Sequence, residues 1–310
     1  MPMIPAHDGT QLYVKSWGDG DPVVLIHGWP LSGDSWDPVT NALADAGYRA
    51  IAYDRRGFGR SDQPSSGYDY DTFADDLAAV IANEAGGSGK VALVGFSMGG
   101  GEIARYLSRH GSSRISRVAL ISSVVPYMLK TDDNPDGVPQ EAFDDMTDGM
   151  LADRAKFFRG FFKDFFGVGM LSSPVSDEVL DLAWATAMQA GLRPTLAAAK
   201  AFATTDFRPD LARFDVPTLV IHGTADQTVP IDATGRVVAS KVPGAQLIEY
   251  GGEPHGVFAT QSDRLIGDLL TFLRGEDNAV SAADQVSDIN PADQQRVLDE
   301  ITAESLATNL

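Results

Sequence analysis

The sequence predicts an α/β fold: a mainly parallel central sheet with helices on both faces and a helical cap inserted late in the chain. Three observations predict it. Short apolar runs alternate with segments that carry apolar residues at helical spacing. One run, beginning at Val91, passes directly into Gly95–Phe96–Ser97–Met98–Gly99 and then into a helix. Two later runs each open into a polar loop, the first carrying Asp226 and the second His255.

The elements follow in order. Leu12–Trp17 alternates like a half-buried strand, Val23–Ile26 is continuously apolar, and Tyr48–Asp54 is the next strand. Continuous apolar strands belong to a parallel sheet covered on both faces. Tyr70–Asn83 places Phe73, Leu77, Val80 and Ile81 on one helical stripe. The strand from Val91 into the Gly-x-Ser-x-Gly turn, a helix from Met98 and strand Val118–Ile121 come next. The rhythm breaks between Val124 and Asp215, where turn chemistry at Asp132–Gly137 is followed by several helices. Strands Thr218–Gly223 and Ala245–Tyr250 then resume the sheet. The expected organisation is a core of residues 1–123 and 216–275, a cap of 124–215, and an acidic C-terminal extension of 276–310. That extension reads as a disordered solubilising tail, a helix docked on its own domain, or an oligomer arm.

The chemistry sits at the strand ends. A strand–Gly-x-Ser-x-Gly–helix unit is a nucleophile elbow, in which a sharp turn exposes the serine hydroxyl. Gly95 and Gly99 suit it because neighbouring backbone leaves no room for a side chain. Ser97, Asp226 and His255 occur in the chain order such a site requires. His255 would take the Ser97 proton, and Asp226 would orient the imidazole and stabilise its charged form. Taken singly, Ser97 could be a turn serine, Asp226 an Asx-turn or cap, and His255 a surface-loop histidine. Their joint order and strand context favour the triad. Of the other histidines, His7 precedes the core, His110 ends the helix after the elbow, and His27 and His222 read as hydrogen-bonded structural residues.

Transition-state oxyanions need two backbone donors. Met98 N–H lies at a helix N-terminus, and Trp29 N–H, in the loop after Val23–Ile26, is the second candidate. Pro30 cannot donate and restricts the backbone of Trp29. Six phenylalanines at helical spacing, Phe157, Phe158, Phe161, Phe162, Phe165 and Phe166, read first as packing for the cap. Phe158 and Phe162 are the candidates to face Ser97, with Pro30, Val229 and Val257 as further pocket residues.

Composition narrows the function. The 310 residues contain no cysteine, which removes disulfides, thiol nucleophiles and thiolate metal sites. The net charge of −19 opposes binding to nucleic acid or anionic membranes, and it disfavours anionic substrates. The N-terminus has no basic segment followed by an apolar one, and no run is long enough to span a bilayer, so a cytoplasmic protein is expected.

Several longer motifs carry a family resemblance: His27–Trp36 (HGWPLSGDSW), Tyr53–Ser61 (YDRRGFGRS), Gly95–Glu102 (GFSMGGGE) and Asp206–Asp210 (DFRPD). From about Ile4 to Gly275 the chain resembles the cofactor-free (non-haem) bacterial haloperoxidase, perhydrolase and aryl-esterase group of serine α/β-hydrolases, which includes γ-lactamases. The resemblance implies an α/β-hydrolase fold and an acyl-enzyme on Ser97, with acid Asp226, base His255 and oxyanion donors Trp29 and Met98. It implies small ester or amide substrates and no metal or other cofactor. Hydrogen peroxide can replace water in that group, giving from a carboxylic acid or ester a peracid that oxidises halide in solution. Members with proline after the oxyanion tryptophan resemble the perhydrolase branch, although Pro30 reads equally as a stiff turn. A plain esterase or γ-lactamase is the alternative, and a slow-turnover ligand sensor a more distant one. Ser97 stands where epoxide hydrolases and haloalkane dehalogenases carry a carboxylate, which argues against both.

Overall fold

A computed structural model describes residues 3–84, 89–169 and 172–276. All of the extension but Glu276 therefore lies outside the described residues. Eight strands form one sheet: β1 (Met3–Pro5), β2 (Gln11–Trp17), β3 (Pro22–Ile26), β4 (Arg49–Tyr53), β5 (Val91–Phe96), β6 (Ile115–Ile121), β7 (Thr218–Gly223) and β8 (Gln246–Tyr250). Their spatial order is β1-β2-β4-β3-β5-β6-β7-β8. The first two pairings, β1 with β2 and β2 with β4, are antiparallel and every later one is parallel. Helices α1 (Asp37–Asp45), α2 (Tyr70–Glu84), α3 (Met98–His110), α4 (Gln140–Phe165), α5 (Asp177–Gln189), α6 (Leu192–Thr204), α7 (Gly235–Lys241), α8 (Val257–Thr260) and α9 (Ser262–Arg274) complete the fold.

Every residue of β5 and β7 is buried, as expected of strands covered on both faces. The α2 stripe Phe73, Leu77, Val80 and Ile81 faces the sheet with at most 2% exposure. Strand β2 departs from the alternation expected of it, because Leu12, Tyr13 and Val14 are all buried. The guanidinium of Arg60, 47 residues further along the chain, lies 3.8 Å from the Tyr13 ring centroid and covers the face that would otherwise meet water. Between β6 and β7 the chain leaves the sheet to form α4, α5 and α6. Helix α4 breaks at Asp153 (φ −159°, ψ 90°), so its aromatic half, from Phe157 onward, takes its own direction. No helix among the described residues is long and apolar enough to cross a membrane.

Candidate active site

The strand-to-helix turn after β5 positions Ser97. Its backbone sits at φ 52° and ψ −117°, a left-handed conformation that L-residues rarely adopt. A Cβ on Gly95 would approach Gly99 O to 2.7 Å, and one on Gly99 would approach Ile26 O to 2.5 Å. Only glycine closes this turn against the end of β3. The Ser97 N–H donates to Ile121 O at 2.8 Å, which fixes the serine to the end of β6.

Asp226 and His255 follow β7 and β8, at the same edge of the sheet, where ligand sites of parallel sheets gather. His255 Nε2 lies 3.0 Å from Ser97 Oγ, and Nδ1 lies 2.6 Å from Asp226 Oδ2. The other carboxylate oxygen of Asp226 accepts the N–H groups of Thr228 (2.9 Å) and Val229 (2.8 Å). The carboxylate is thereby locked, with one oxygen committed to the backbone and one to the imidazole. Burial alone would raise the Asp226 carboxyl pKa. The His255 charge and the hydrogen bonds from His222 and His255 outweigh that and hold it well below the ordinary carboxylate range. Phe96 and Phe165 close on the His255 ring at centroid distances of 4.9 and 4.8 Å. The base is 1% exposed and the serine 6%.

His222 shares this acid. Its Nε2 lies 2.9 Å from Val229 O and 3.3 Å from Asp226 Oδ2. The sequence marked it only as a structural residue, and nothing periodic in that loop signals a contact with Asp226.

The two expected oxyanion donors belong to segments on either side of Ser97, the start of α3 and the loop after β3. Met98 opens α3, where helical N–H groups have no carbonyl four residues back. The β3 loop presses against the nucleophile so closely that a Cβ on Gly28 would meet Ser97 Cβ at 3.0 Å. Leu31 N–H closes that loop on Gly28 O at 3.0 Å, enclosing Trp29 and buried Pro30. The indole N–H of Trp29 donates to Thr195 O on α6 at 3.0 Å. Beneath the loop, the Arg55 guanidinium donates to His27 O (2.6 Å) and to the carboxylate of Glu102 on α3. Arg55 N–H donates to His27 Nε2 at 3.0 Å, while the Tyr53 hydroxyl donates to Glu102. These groups are at most 1% exposed and tie the β3 loop to the nucleophile helix. Burial raises the Glu102 carboxyl pKa, and Arg55 and Tyr53 oppose that shift.

A cavity of about 940 Å³ opens above Ser97 and His255. Val229 lines it, as expected, but the other pocket assignments need correction. Phe158 and Phe162 are buried to within 1% and stack on each other at 6.0 Å, away from the cavity. They belong to the stripe of α4 that packs inward, whereas half-buried Phe161 sits one position round the helix and forms the wall. Pro30 is enclosed behind Trp29, and Val257 is fully buried in α8; neither lines the cavity. Phe143, Met146 and Phe202 line it instead, drawn from α4 and α6. Gln227 and Glu253 line it too, and the sequence could have suggested both because they flank Asp226 and His255. Among the described residues no group of three or more potential ligands could hold a metal ion.

A model of the alpha/beta hydrolase fold family matches residues 21–261. The chain belongs to the α/β-hydrolase family. Within it, this α/β-hydrolase is 46% identical over 275 residues to a non-heme chloroperoxidase of Kitasatospora aureofaciens, covering 88% of this chain and 99% of that one. It is 39% identical over 277 residues to a bifunctional esterase/perhydrolase of Acinetobacter calcoaceticus, covering 88% of this chain and all of the other. Among solved structures, a bromoperoxidase from Bacillus anthracis superposes with a TM-score of 0.85 at 42% identity, covering 88% of the α/β-hydrolase described here and 99% of the bromoperoxidase. The expected group, non-haem haloperoxidases and their esterase relatives, is the one this enzyme belongs to.

Proposed function

We propose that the protein is a serine hydrolase that acylates Ser97 from carboxylic esters and passes the acyl group to water or to hydrogen peroxide. The continuous hydrogen-bonded line Ser97 Oγ–His255 Nε2 (3.0 Å) and His255 Nδ1–Asp226 Oδ2 (2.6 Å), at the floor of a cavity, carries this reading. Neutral His255 holds its proton on Nδ1, facing the carboxylate, so Nε2 is free to accept the Ser97 proton. The alkoxide attacks the ester carbonyl, and the N–H groups of Trp29 and Met98 receive the oxyanion. Each such donor contributes about 3 kcal/mol by the usual mutational measure. The imidazolium then protonates the leaving alcohol, and Asp226 offsets its charge.

The second half repeats these steps with a new nucleophile. Water yields a carboxylic acid and hydrogen peroxide yields a peracid. In either case His255 takes the nucleophile's proton and returns it to Ser97 as the acyl–oxygen bond breaks. The relatives named chloroperoxidase and esterase/perhydrolase support the peroxide branch, since a peracid released into solution oxidises halide without a metal. A small-molecule ester is the expected partner.

The test is peroxide-dependent bromination of a dimedone reporter with an uncharged ester as acyl donor, metals chelated, and wild type beside Ser97→Ala. Bromination that disappears in the variant is expected. Aryl-ester turnover without bromination would make the protein a plain esterase or γ-lactamase. No Ser97-dependent turnover of any ester would overturn the acyl-enzyme itself.

A further inference from the structure

Buried His222 is a titratable group that the acyl-transfer steps do not use. It lies near the end of β7, four residues before Asp226, and is fully enclosed. Its Nε2 lies 2.9 Å from Val229 O, and a carbonyl oxygen can only accept, so the His222 proton is on Nε2. Nδ1 is then bare, and it is buried without a hydrogen-bond partner among the described residues. Gly235, the first residue of α7, backs that side of the ring, since a Cβ there would stand 2.9 Å from Nδ1. The imidazole is thus held from behind, with its single N–H turned to the Asp226–Val229 loop. Asp226 Oδ2 lies 3.3 Å from the same Nε2, beside the shorter contact to Val229 O. The polar groups around the carboxylate therefore divide evenly. Thr228 and Val229 N–H face one oxygen, while His255 Nδ1 and His222 Nε2 face the other. Val229 is held twice, its N–H by Asp226 and its carbonyl by His222.

We propose that His222 is a positioning residue for acyl transfer: its Nε2–H keeps Asp226 Oδ2 opposite His255 Nδ1. This rests on the acyl-enzyme reading above and deepens it by naming what orients the acid. The backbone N–H groups fix one carboxylate oxygen but leave the group free to turn about it. An N–H beside the second oxygen removes that freedom, and in a site closed to water its dipole acts on the charge with little screening. His222 touches neither Ser97 nor the cavity, so its effect reaches the reaction only through Asp226 and the loop that carries it. The contact to Oδ2 is long, so its removal should cost far less than the loss of about 10⁴-fold expected when the acid itself is lost.

The experiment compares wild type with His222→Leu, which removes the donor, and His222→Gln, whose amide nitrogen reaches about as far as Nε2. Each protein is read by kcat and KM for an uncharged aryl ester, by the downfield proton resonance of His255 Nδ1–H, and by Tm. In His222→Leu, kcat should fall about tenfold, as for one donor lost from a charged group, with KM within about twofold of wild type. The His255 resonance should shift or broaden, and His222→Gln should recover most of both changes. A lower Tm alone, with wild-type kcat or an unchanged resonance, would overturn the proposal and leave His222 a packing residue. A rise in KM alone would also overturn it, because His222 would then serve only the cavity wall at Val229. Equal losses in the two variants would do the same. Nitrogen NMR of the wild-type histidines tests the proposal even where the variants do not fold: a proton on His222 Nε2 supports it, and one on Nδ1 sinks it. Absence of Ser97-dependent ester turnover in wild type is a different failure, that of the acyl-enzyme, and the NMR measurements on the resting protein do not depend on it.

Discussion

Asp226→Asn isolates the role of the acid, because the structure determines which way the new amide must face. In wild type one carboxylate oxygen accepts Thr228 and Val229 N–H at 2.9 and 2.8 Å, and the other accepts His255 Nδ1–H at 2.6 Å. An asparagine must place its NH₂ at one of these two positions. Facing the backbone, it would leave two buried N–H donors unsatisfied, at about 1–3 kcal/mol each. Facing His255 and His222, it keeps both backbone bonds and opposes the imidazoles with a donor. The second orientation therefore wins, and His255 can pair with it only by accepting at Nδ1. Its proton then resides on Nε2, where it blocks removal of the proton from Ser97. The expected loss in kcat is about 10⁴-fold, or about 5.5 kcal/mol of transition-state stabilisation. The fold should survive, since the lost His222 contact is long (3.3 Å). The assay is aryl-ester hydrolysis beside fluorophosphonate labelling of the serine, with thermal unfolding as the control. A folded variant within tenfold of wild type, or one labelled at the wild-type rate, would refute the reasoning.

Four further outcomes are expected. Glu102→Gln removes the counter-charge of buried Arg55, which should cost about 3–5 kcal/mol, and calorimetry should show Tm lower by roughly 10 °C; an unchanged Tm would mean that Arg55 keeps its charge balanced elsewhere. Phe161→Ala should change the acyl-length preference with little loss of stability, while Phe158→Ala, which empties a fully buried site, should cost about 3–5 kcal/mol; the reverse pattern in denaturant unfolding would misplace the cavity wall. If Pro30 holds the Trp29 carbonyl as an acceptor for bound peroxide, Pro30→Leu should lower the ratio of perhydrolysis to hydrolysis severalfold; an unchanged product ratio would reduce Pro30 to a stiff turn. The depressed Asp226 pKa gives stability that is full above the unfolded carboxyl value near 3.8 and is lost as pH falls through the folded value. Tm curves of wild type and Asp226→Asn should therefore keep a constant gap above about pH 5 and converge progressively as pH falls below it, and parallel curves would contradict that depression.

The sheet and the triad were legible because each is encoded locally. Buried parallel strands write themselves as continuous apolar runs, and the elbow demands glycine where Gly99 meets Ile26 O. Asp226 and His255 needed only their place after a strand. What failed to read out depends on partners distant in the chain. Strand β2 looks half-exposed until Arg60 is seen over Tyr13. Strand β1 is three residues long and ends in a proline, too short for any periodicity. His222 meets Asp226 across a non-helical loop, where no sequence spacing implies contact.

The cavity wall was the least legible part, and the reason is physical. From Phe157 to Phe166 the aromatic residues extend beyond one stripe of α4, so hydrophobicity alone does not say which of them turns inward. The break at Asp153 redirects that half of the helix, and docking on Trp29 then settles the rotation. Phe158 and Phe161 both contact the indole, at 5.5 and 5.4 Å, yet only Phe161 reaches the open side. The catalytic line is held by strand ends that must be where they are for the sheet to form. The wall is held by an insertion whose only obligation is to bury its aromatic face. Substitutions in the insertion can therefore reshape one side of the cavity, the side built from α4 and α6, while Ser97, His255 and Asp226 keep their distances at the strand ends.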